Sequence, residues 1–213
     1  MRLYKLAVSM CCALAFNLSA MSDEITENYI RKNGQTVLEA LNAPDLNRAE
    51  RRLKFNAYID QFSDLDRVSN FVIGKYSRRF SPEELQNYRT AFRAYSLATY
   101  ETQFDDYRGG VIEILGSIDR NDRDSIVDSI IRRKDGQELN VQWRIQLRND
   151  VYQIIDVALK LEGNLIWLAI EQRAQFLDLL DRTNGSAESL IRKLDELTTD
   201  LLAKISENSD QGE

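Results

Sequence analysis

The chain has 213 residues, with 28 Lys and Arg against 34 Asp and Glu, and a formal net charge of −6. An acidic chain is a poor partner for nucleic acid, whose phosphates need clustered Lys and Arg, so no nucleic-acid partner is expected. The sequence has no histidine, which excludes the commonest general base, the Ser-His and Cys-His nucleophile pairs and the commonest metal ligand.

The first twenty residues have the layout of a secretory signal peptide. Arg2 and Lys5 precede a mostly apolar run from Leu6 to Phe16, and Ala20 offers a small residue at a cleavage point. A membrane anchor is the alternative, but the run of about 11 residues is shorter than the ~20 that span a bilayer. We therefore expect residues 1–20 to be removed and the mature chain to be a soluble periplasmic protein.

Cleavage would also remove Cys11 and Cys12, the two cysteines of the chain. An exported chain without cysteine forms no disulfide and has no thiolate chemistry. Without histidine or cysteine, a zinc site would need carboxylates alone, which is unusual. The sequence therefore predicts no metal and no cofactor.

The mature chain begins with predicted helices. Apolar residues recur at spacings near 3.6 over 24–42, 47–62 and 64–73. Ser81-Pro82-Glu83-Glu84 has a hydroxyl at the N-cap, proline at N1 and glutamate at N3, which predicts a helix start. This helix is expected to run to about Tyr107 and to end at Gly109-Gly110.

The apolar period then changes to that of β-strands. Strands are predicted around 112–118, 126–131, 141–147 and 151–159. Turn residues separate them at Lys134-Asp135-Gly136 and at Arg148-Asn149-Asp150. Such short connections indicate an antiparallel sheet of four strands.

Two more helices are predicted at the C-terminal end of the chain, over 165–182 and 186–206, followed by a flexible tail at 209–213. The run Leu165–Ile170 is apolar on all sides. Its simplest interpretation is a buried helix start, and the alternative is a mobile gate or a surface that contacts a partner.

These elements predict an α+β fold in one domain, residues 21–208. The four-stranded antiparallel sheet would be curved and covered by helices from both ends of the chain. A curved sheet beneath helices forms a cone, and we expect it to enclose an apolar pocket.

Several motifs, in order along residues 24–200, resemble those of the toluene-tolerance family, the MlaC-like periplasmic phospholipid-binding proteins. They are Phe80-Ser81-Pro82-Glu83-Glu84-Leu85 continuing to Tyr88, Phe92, Tyr95 and Tyr100; Tyr152-Gln153-Ile154-Ile155-Asp156-Val157; Glu162-Gly163; Gln172-Arg173-Ala174-Gln175-Phe176; and Asn184-Gly185 through Leu190-Ile191 and Lys193-Leu194.

The resemblance implies a lipid carrier without catalytic residues. Such a protein would shuttle a diacyl phospholipid between an outer-membrane lipoprotein complex and an inner-membrane ABC transporter with an MCE-domain protein. The family has small and hydroxyl residues after its Glu-Gly pair, whereas Asn164-Leu165-Ile166-Trp167 follows here. A carrier of hopanoid or another lipid is therefore an alternative.

A carrier must shield acyl chains from water with apolar side chains. The predicted lipid-binding residues are Val72, Tyr76, Phe92, Tyr95, Ile114, Ile130, Trp143, Ile145, Ile154 and Leu168. Ordinary core packing is the alternative for each, because a filled core and a lined cavity use the same residue types. The basic segment Tyr76–Phe80 is interpreted as a solvated turn or as a rim that meets lipid phosphate.

Two other functional classes remain open from the sequence. Cone-shaped α+β folds include isomerases that use a buried Asp with a Tyr donor, and Asp156 with Tyr95 or Tyr100 could be arranged in this way. In the binding interpretation, Asp156 is a structural carboxylate bonded to backbone or to an Arg such as Arg173. A periplasmic adaptor or chaperone with a solid core is the third class.

Overall fold

The computed structural model describes residues 24–102 and 109–210, with side chains as far as residue 207. The predicted signal peptide, residues 1–20, lies outside the described residues. So do 103–108, where the fourth helix was expected to end, and 211–213 of the predicted tail.

The N-terminal half consists of helices that start within one residue of the predicted positions, but the fourth ends at Glu101, short of the predicted end near Tyr107. They are α1 Glu24–Asn42, α2 Arg48–Phe62, α3 Leu65–Ile73, a 3₁₀ turn Gly74–Arg78, and α4 Pro82–Glu101. The capping box at the start of α4 is present, because the Glu84 N–H donates to Ser81 Oγ (3.2 Å) and the Ser81 N–H donates to Glu84 Oε2 (2.8 Å).

The described residues form a five-stranded antiparallel sheet in sequential order. Its strands are β1 Val111–Asn121, β2 Asp124–Arg132, β3 Glu138–Arg148, β4 Val151–Leu161 and β5 Asn164–Trp167. Asn149 and Asp150 both have positive φ (49° and 60°) and join β3 to β4 in a two-residue turn.

The prediction of four strands was wrong by one, and β5 explains why. Glu162 and Gly163 also have positive φ (50° and 84°), so the chain reverses there and Asn164–Trp167 pairs with Leu161–Ala158. The apolar run therefore begins as a strand and not as a buried helix start, and Leu165 is 46% exposed. The six-residue apolar run Leu165–Ile170 is too short and too uniformly apolar for its period to distinguish strand from helix.

Two helices follow the sheet, α5 Leu168–Arg182 and α6 Ala187–Asp210. Gly185, at φ 78°, ends the connection after α5, and its N–H donates to the Leu180 carbonyl (2.7 Å). No helix among the described residues is long and apolar enough to cross a membrane.

The helices flank the sheet. Helix α1 packs Ile30 and Leu38 against one sheet face, which is called the inner face below. A separate helical cluster joins α3, the 3₁₀ turn, α4, α5 and α6 around Tyr88, Phe92 and Leu180. A small third cluster of Leu41, Phe55 and Leu97 with their neighbours connects α1, α2 and α4.

Candidate functional site

The inner face of the sheet and α1 together form a continuous layer of apolar side chains, the apolar layer. Its buried members are Ile30, Leu38, Ile112, Val127, Ile131, Val141 and Ile145; its half-buried members are Tyr29, Ile114, Leu139, Trp143, Tyr152, Ile154, Val157 and Leu159.

The two sides of the apolar layer differ in how well they are covered. On β1 and β2, beneath α1, Ile112, Val127 and Ile131 are all buried. On β4, by contrast, the apolar members of the layer are only half-buried. Apolar surface of this kind gains about 25 cal/mol per Å² when another apolar group covers it. On β3, Val141 and Ile145 are buried. Leu139 and Trp143 of the same strand are half-buried. These two residues and the half-buried members on β4, together the β3–β4 side of the layer, are therefore the candidate contact surface for an apolar ligand.

Aromatic rings close one end of the apolar layer. The Tyr29 ring lies 6.1 Å from the Tyr152 ring and 6.5 Å from the Phe62 ring, which stacks on Tyr58 at 5.6 Å. The Tyr29 hydroxyl donates to the Phe62 carbonyl (3.2 Å), and burial raises its pKa to about 12. The hydroxyl therefore stays neutral at physiological pH, and this end of the layer carries no charge from it.

The Trp143 ring is part of the apolar layer, and its one polar atom, Nε1, forms a hydrogen bond within the sheet. Its Nε1–H donates to Ser129 Oγ (2.8 Å), and that hydroxyl lies 3.3 Å from the Val141 carbonyl. Fixing the indole nitrogen leaves an apolar ring face for contact with a ligand.

Comparison of the sequence with models of known protein families shows which family has this architecture. The family model of the MlaC protein matches residues 31–196. The chain belongs to the MlaC protein family. The resemblance found in the sequence motifs is thereby confirmed.

A solved structure has the same fold as this MlaC-family chain. It is a phospholipid-binding protein from Ralstonia solanacearum in complex with a phospholipid. The two share 21% sequence identity and superpose with a TM-score of 0.70, over 83% of this chain and 98% of that one. No curated protein matches this chain in sequence.

The ten predicted lipid-binding residues do not come together in one place. Ile114, Trp143, Ile145 and Ile154 belong to the apolar layer. The other six lie elsewhere: Val72, Tyr76, Phe92 and Tyr95 pack in the helical cluster, Ile130 lies on β2 between Ser129 and Ile131 of the inner face, and Leu168 begins α5.

Three of the predicted lipid-binding residues that lie in the helical cluster are buried. Val72, Tyr76 and Phe92 are 0%, 3% and 1% exposed, and the Tyr76 hydroxyl donates to Asp181 Oδ1 (2.6 Å). They fill a packed core in this structure, and their contact with lipid stays a prediction.

Several residues of the apolar layer were missed from the sequence. Tyr29 of α1 and Tyr152, Val157 and Leu159 of β4 were not among the predicted lipid-binding residues. The signal was the alternation along β4, but it shifts by one residue at Ile155, where a bulge lies between the pairs Arg144–Asp156 and Ile145–Ile154.

Asp156 has the geometry of a structural carboxylate. Its Oδ1 accepts the backbone N–H groups of Val157 (2.8 Å) and Ala169 (2.9 Å), which ties β4 to the first turn of α5. The interpretation of Asp156 as a carboxylate bonded to backbone is confirmed. Burial raises the pKa of Asp156, and the arginine whose charge opposes this increase is Arg144, not Arg173.

Tyr100, one of the two tyrosines considered with Asp156 in the enzyme alternative, is neutral at physiological pH. Burial, together with the charges of Asp156 and Tyr95, raises the pKa of Tyr100 to about 12. Membership of the MlaC family indicates a binding or transport protein. Within residues 24–102 and 109–210, no group of three or more His, Cys, Asp and Glu residues is arranged to hold a metal ion.

The basic segment at 76–80 is a turn beside an ion pair that the preceding residue, Lys75, forms with Asp181. Lys75 Nζ lies 2.9 Å from Asp181 Oδ1, and the hydrogen bonds from Tyr76 and Lys75 lower the pKa of Asp181. Arg79 lies over the Tyr76 ring, 5.2 Å from its centroid. Contact of this segment with lipid phosphate stays a prediction.

Proposed function

We propose that this chain is a periplasmic lipid carrier that holds the acyl chains of a phospholipid against the apolar layer. It would shuttle that lipid between an outer-membrane lipoprotein complex and an inner-membrane ABC transporter with an MCE-domain protein. Family membership and the phospholipid bound by a neighbour of the same fold support this proposal.

The observation that carries the proposal is the half-buried β3–β4 side of the apolar layer. Trp143, Tyr152, Ile154, Val157 and Leu159 lie side by side on adjacent strands, and each retains exposed apolar surface. Acyl chains laid on these side chains would cover that surface.

The energy scale explains why a carrier must hand its lipid over by contact. Each buried methylene contributes about 0.8 kcal/mol, so two acyl chains of about 15 methylenes contribute roughly 24 kcal/mol before ordering costs. Spontaneous release into water is negligible on this scale. Transfer then requires a partner whose own apolar groove accepts the chains.

The experiment compares two leucines on opposite faces of the sheet. Leu159 is a half-buried member of the apolar layer, whereas Leu165 of β5 pairs with Lys160, so it faces the other side of the sheet, where it is 46% exposed. Leu159→Gln places an amide where acyl chains would lie, whereas Leu165→Gln makes the same chemical change outside the layer. The lipid retained by each protein is measured after incubation with lipid-free vesicles.

We expect Leu159→Gln to lower the partition of lipid toward the protein at least about fivefold, because burying an unpaired amide costs about 1–3 kcal/mol. Leu165→Gln should retain lipid like the unaltered chain. Val157→Thr, a smaller polar change in the same layer, repeats the test if Leu159→Gln does not fold. Equal retention by layer variants and control would contradict the proposal.

A further inference from the structure

A recess of about 260 Å³ lies where the ends of three strands meet α3. It is formed by the β1–β2 turn, the end of β3 and the first turns of α3. Its lining, called the arginine recess below, consists of Arg67, Asn121, Arg123, Asp124, Gln146, Leu147 and Arg148.

The charge in the arginine recess is strongly positive, although the chain as a whole is acidic. Its one carboxylate, Asp124, is 5% exposed and is already engaged by Arg144 through two bonds, Nε to Oδ1 (3.1 Å) and Nη2 to Oδ2 (2.7 Å). Arg120 adds a weaker contact at 3.5 Å. The carboxylate is therefore neutralised from outside the recess.

The three arginines that line the recess lack such a partner. Among the described residues, no carboxylate forms a salt bridge with Arg67, Arg123 or Arg148. Elsewhere on the surface, Arg93 and Arg132 each bind carboxylates. Three guanidinium groups that converge without a counter-charge repel one another, and a bound anion relieves that repulsion.

Hydrogen bonds hold the floor of the recess in place. Gln146 accepts a hydrogen bond from Arg67 at Oε1 and donates to Asp124, which in turn binds Arg144. On the rim, the Arg123 N–H donates to Asn121 Oδ1 (3.0 Å). The Arg67 guanidinium is thus oriented before a ligand arrives, which lowers the cost of ordering it.

The recess lies at the same end of the strands as the aromatic rings of the apolar layer, but Asp124 and Gln146 alternate with the inward-facing Val127 and Ile145 and so face the opposite side of the sheet. Leu147, one of its lining residues, pairs across the β3–β4 ladder with Tyr152, whose ring packs against Tyr29. The start of α3, which leads to Arg67 of the recess, also contacts β4 at this end, because the Asp64 N–H donates to the Ile154 carbonyl (3.4 Å). An anionic group in the recess and an apolar chain on the layer would therefore share one end of the sheet, on opposite faces.

We infer that the arginine recess binds a phosphate group. The planar fork of a guanidinium matches two oxygens of a phosphate, and several such forks together favour phosphate over a smaller or singly charged anion. The phosphate belongs either to a phospholipid headgroup or to free inorganic phosphate. The headgroup source rests on the proposed function, whereas the phosphate site itself does not.

The test uses the mature full-length chain and two matched double variants. Arg123→Gln with Arg148→Gln removes two charges from exposed positions of the recess. Lys160→Gln with Arg192→Gln removes two charges elsewhere: Lys160 lies nine residues along β4, about 30 Å from the recess end of that strand, and Arg192 lies on α6. Inorganic phosphate is titrated by calorimetry and by phosphorus NMR, and circular dichroism checks folding.

We expect the recess variant to weaken phosphate binding at least about tenfold and the control variant to leave it within about twofold. If loading with short-chain phospholipid abolishes phosphate binding, the recess holds the headgroup. If both bind together, the recess holds inorganic phosphate. Absence of binding in the unaltered chain, or equal weakening in both variants, would overturn the inference.

The lipid content of the same preparations separates this inference from the proposed function. A chain that takes up no lipid, yet binds phosphate in a manner that depends on Arg123 and Arg148, refutes the carrier and retains the phosphate site. If the unaltered chain and both double variants carry lipid equally well and none binds phosphate, the phosphate site is refuted and the carrier function is retained.

Discussion

Replacing Asp156 tests whether this carboxylate is a structural tie. It is 8% exposed, and its Oδ1 accepts the N–H groups of Val157 and Ala169. Asp156→Ala removes the shared acceptor and leaves both donors without it, one of them at the buried start of α5. Asp156→Asn keeps an oxygen at the same position, so both hydrogen bonds can persist.

The structure gives the size of the expected effect. A buried donor left unsatisfied costs about 1–3 kcal/mol, so Asp156→Ala should lower the free energy of unfolding by about 3 kcal/mol. In a chain of this size that corresponds to a fall in melting temperature of about 6–12 °C. Asp156→Asn should stay within about 1 kcal/mol of the unaltered chain.

The pH dependence gives a second readout. Burial raises the pKa of Asp156, although hydrogen bonds from Ala169 and Val157 and the charge of Arg144 oppose the increase. The native state therefore holds this proton more tightly than the unfolded chain, whose carboxyl pKa is about 3.9. Stability from this group is greatest below that value and falls as the pH rises through the native pKa.

Calorimetric unfolding of the three proteins between about pH 3 and pH 7 checks both expectations. Because an asparagine does not titrate, Asp156→Asn should gain stability relative to the unaltered chain as the pH rises. Equal losses in Asp156→Ala and Asp156→Asn, or no loss in Asp156→Ala, would refute the assignment of Asp156 as a structural tie.

Two further substitutions test the packing and charge of the fold. Gly185→Ala should cost about 3 kcal/mol in thermal unfolding, because φ is 78° and the new Cβ would lie 2.6 Å from Cε1 of the buried Tyr76; an unchanged melting temperature would contradict this packing. Asp124→Asn should cost about 2 kcal/mol at pH 7. Burial would raise the Asp124 pKa, but Arg144 holds it below its usual value, so this cost should shrink as the pH falls below about 4. A cost that stays constant with pH would contradict the ion pair.

Much of the fold was accessible from the sequence because its signals are local. The capping box at Ser81 fixed the start of α4, and the alternation in 141–147 fixed β3. The fifth strand escaped because Leu165–Trp167 is a short apolar run whose pairing with β4 depends on the two positive φ angles before it. The Glu162-Gly163 pair was the available signal.

The site was less accessible because it depends on tertiary coverage. Trp143 and Ile154 of the apolar layer were predicted, but so were Val72 and Phe92, which lie in a packed core. Lining a ligand surface and filling a core use the same residue types. Only the tertiary packing of the helices shows which of these residues are covered and which stay half-exposed. The arginine recess gathers residues 67, 123 and 148, which nothing in the sequence connects.

The central claim is that this MlaC-family chain carries a phospholipid. Native mass spectrometry of the mature protein purified from its host, followed by lipid extraction, tests it most directly. The account predicts a mass increment of about one phospholipid per chain, lost on denaturation and recovered from vesicles. A bare protein that also takes up no lipid from vesicles would contradict the claim and favour a periplasmic adaptor.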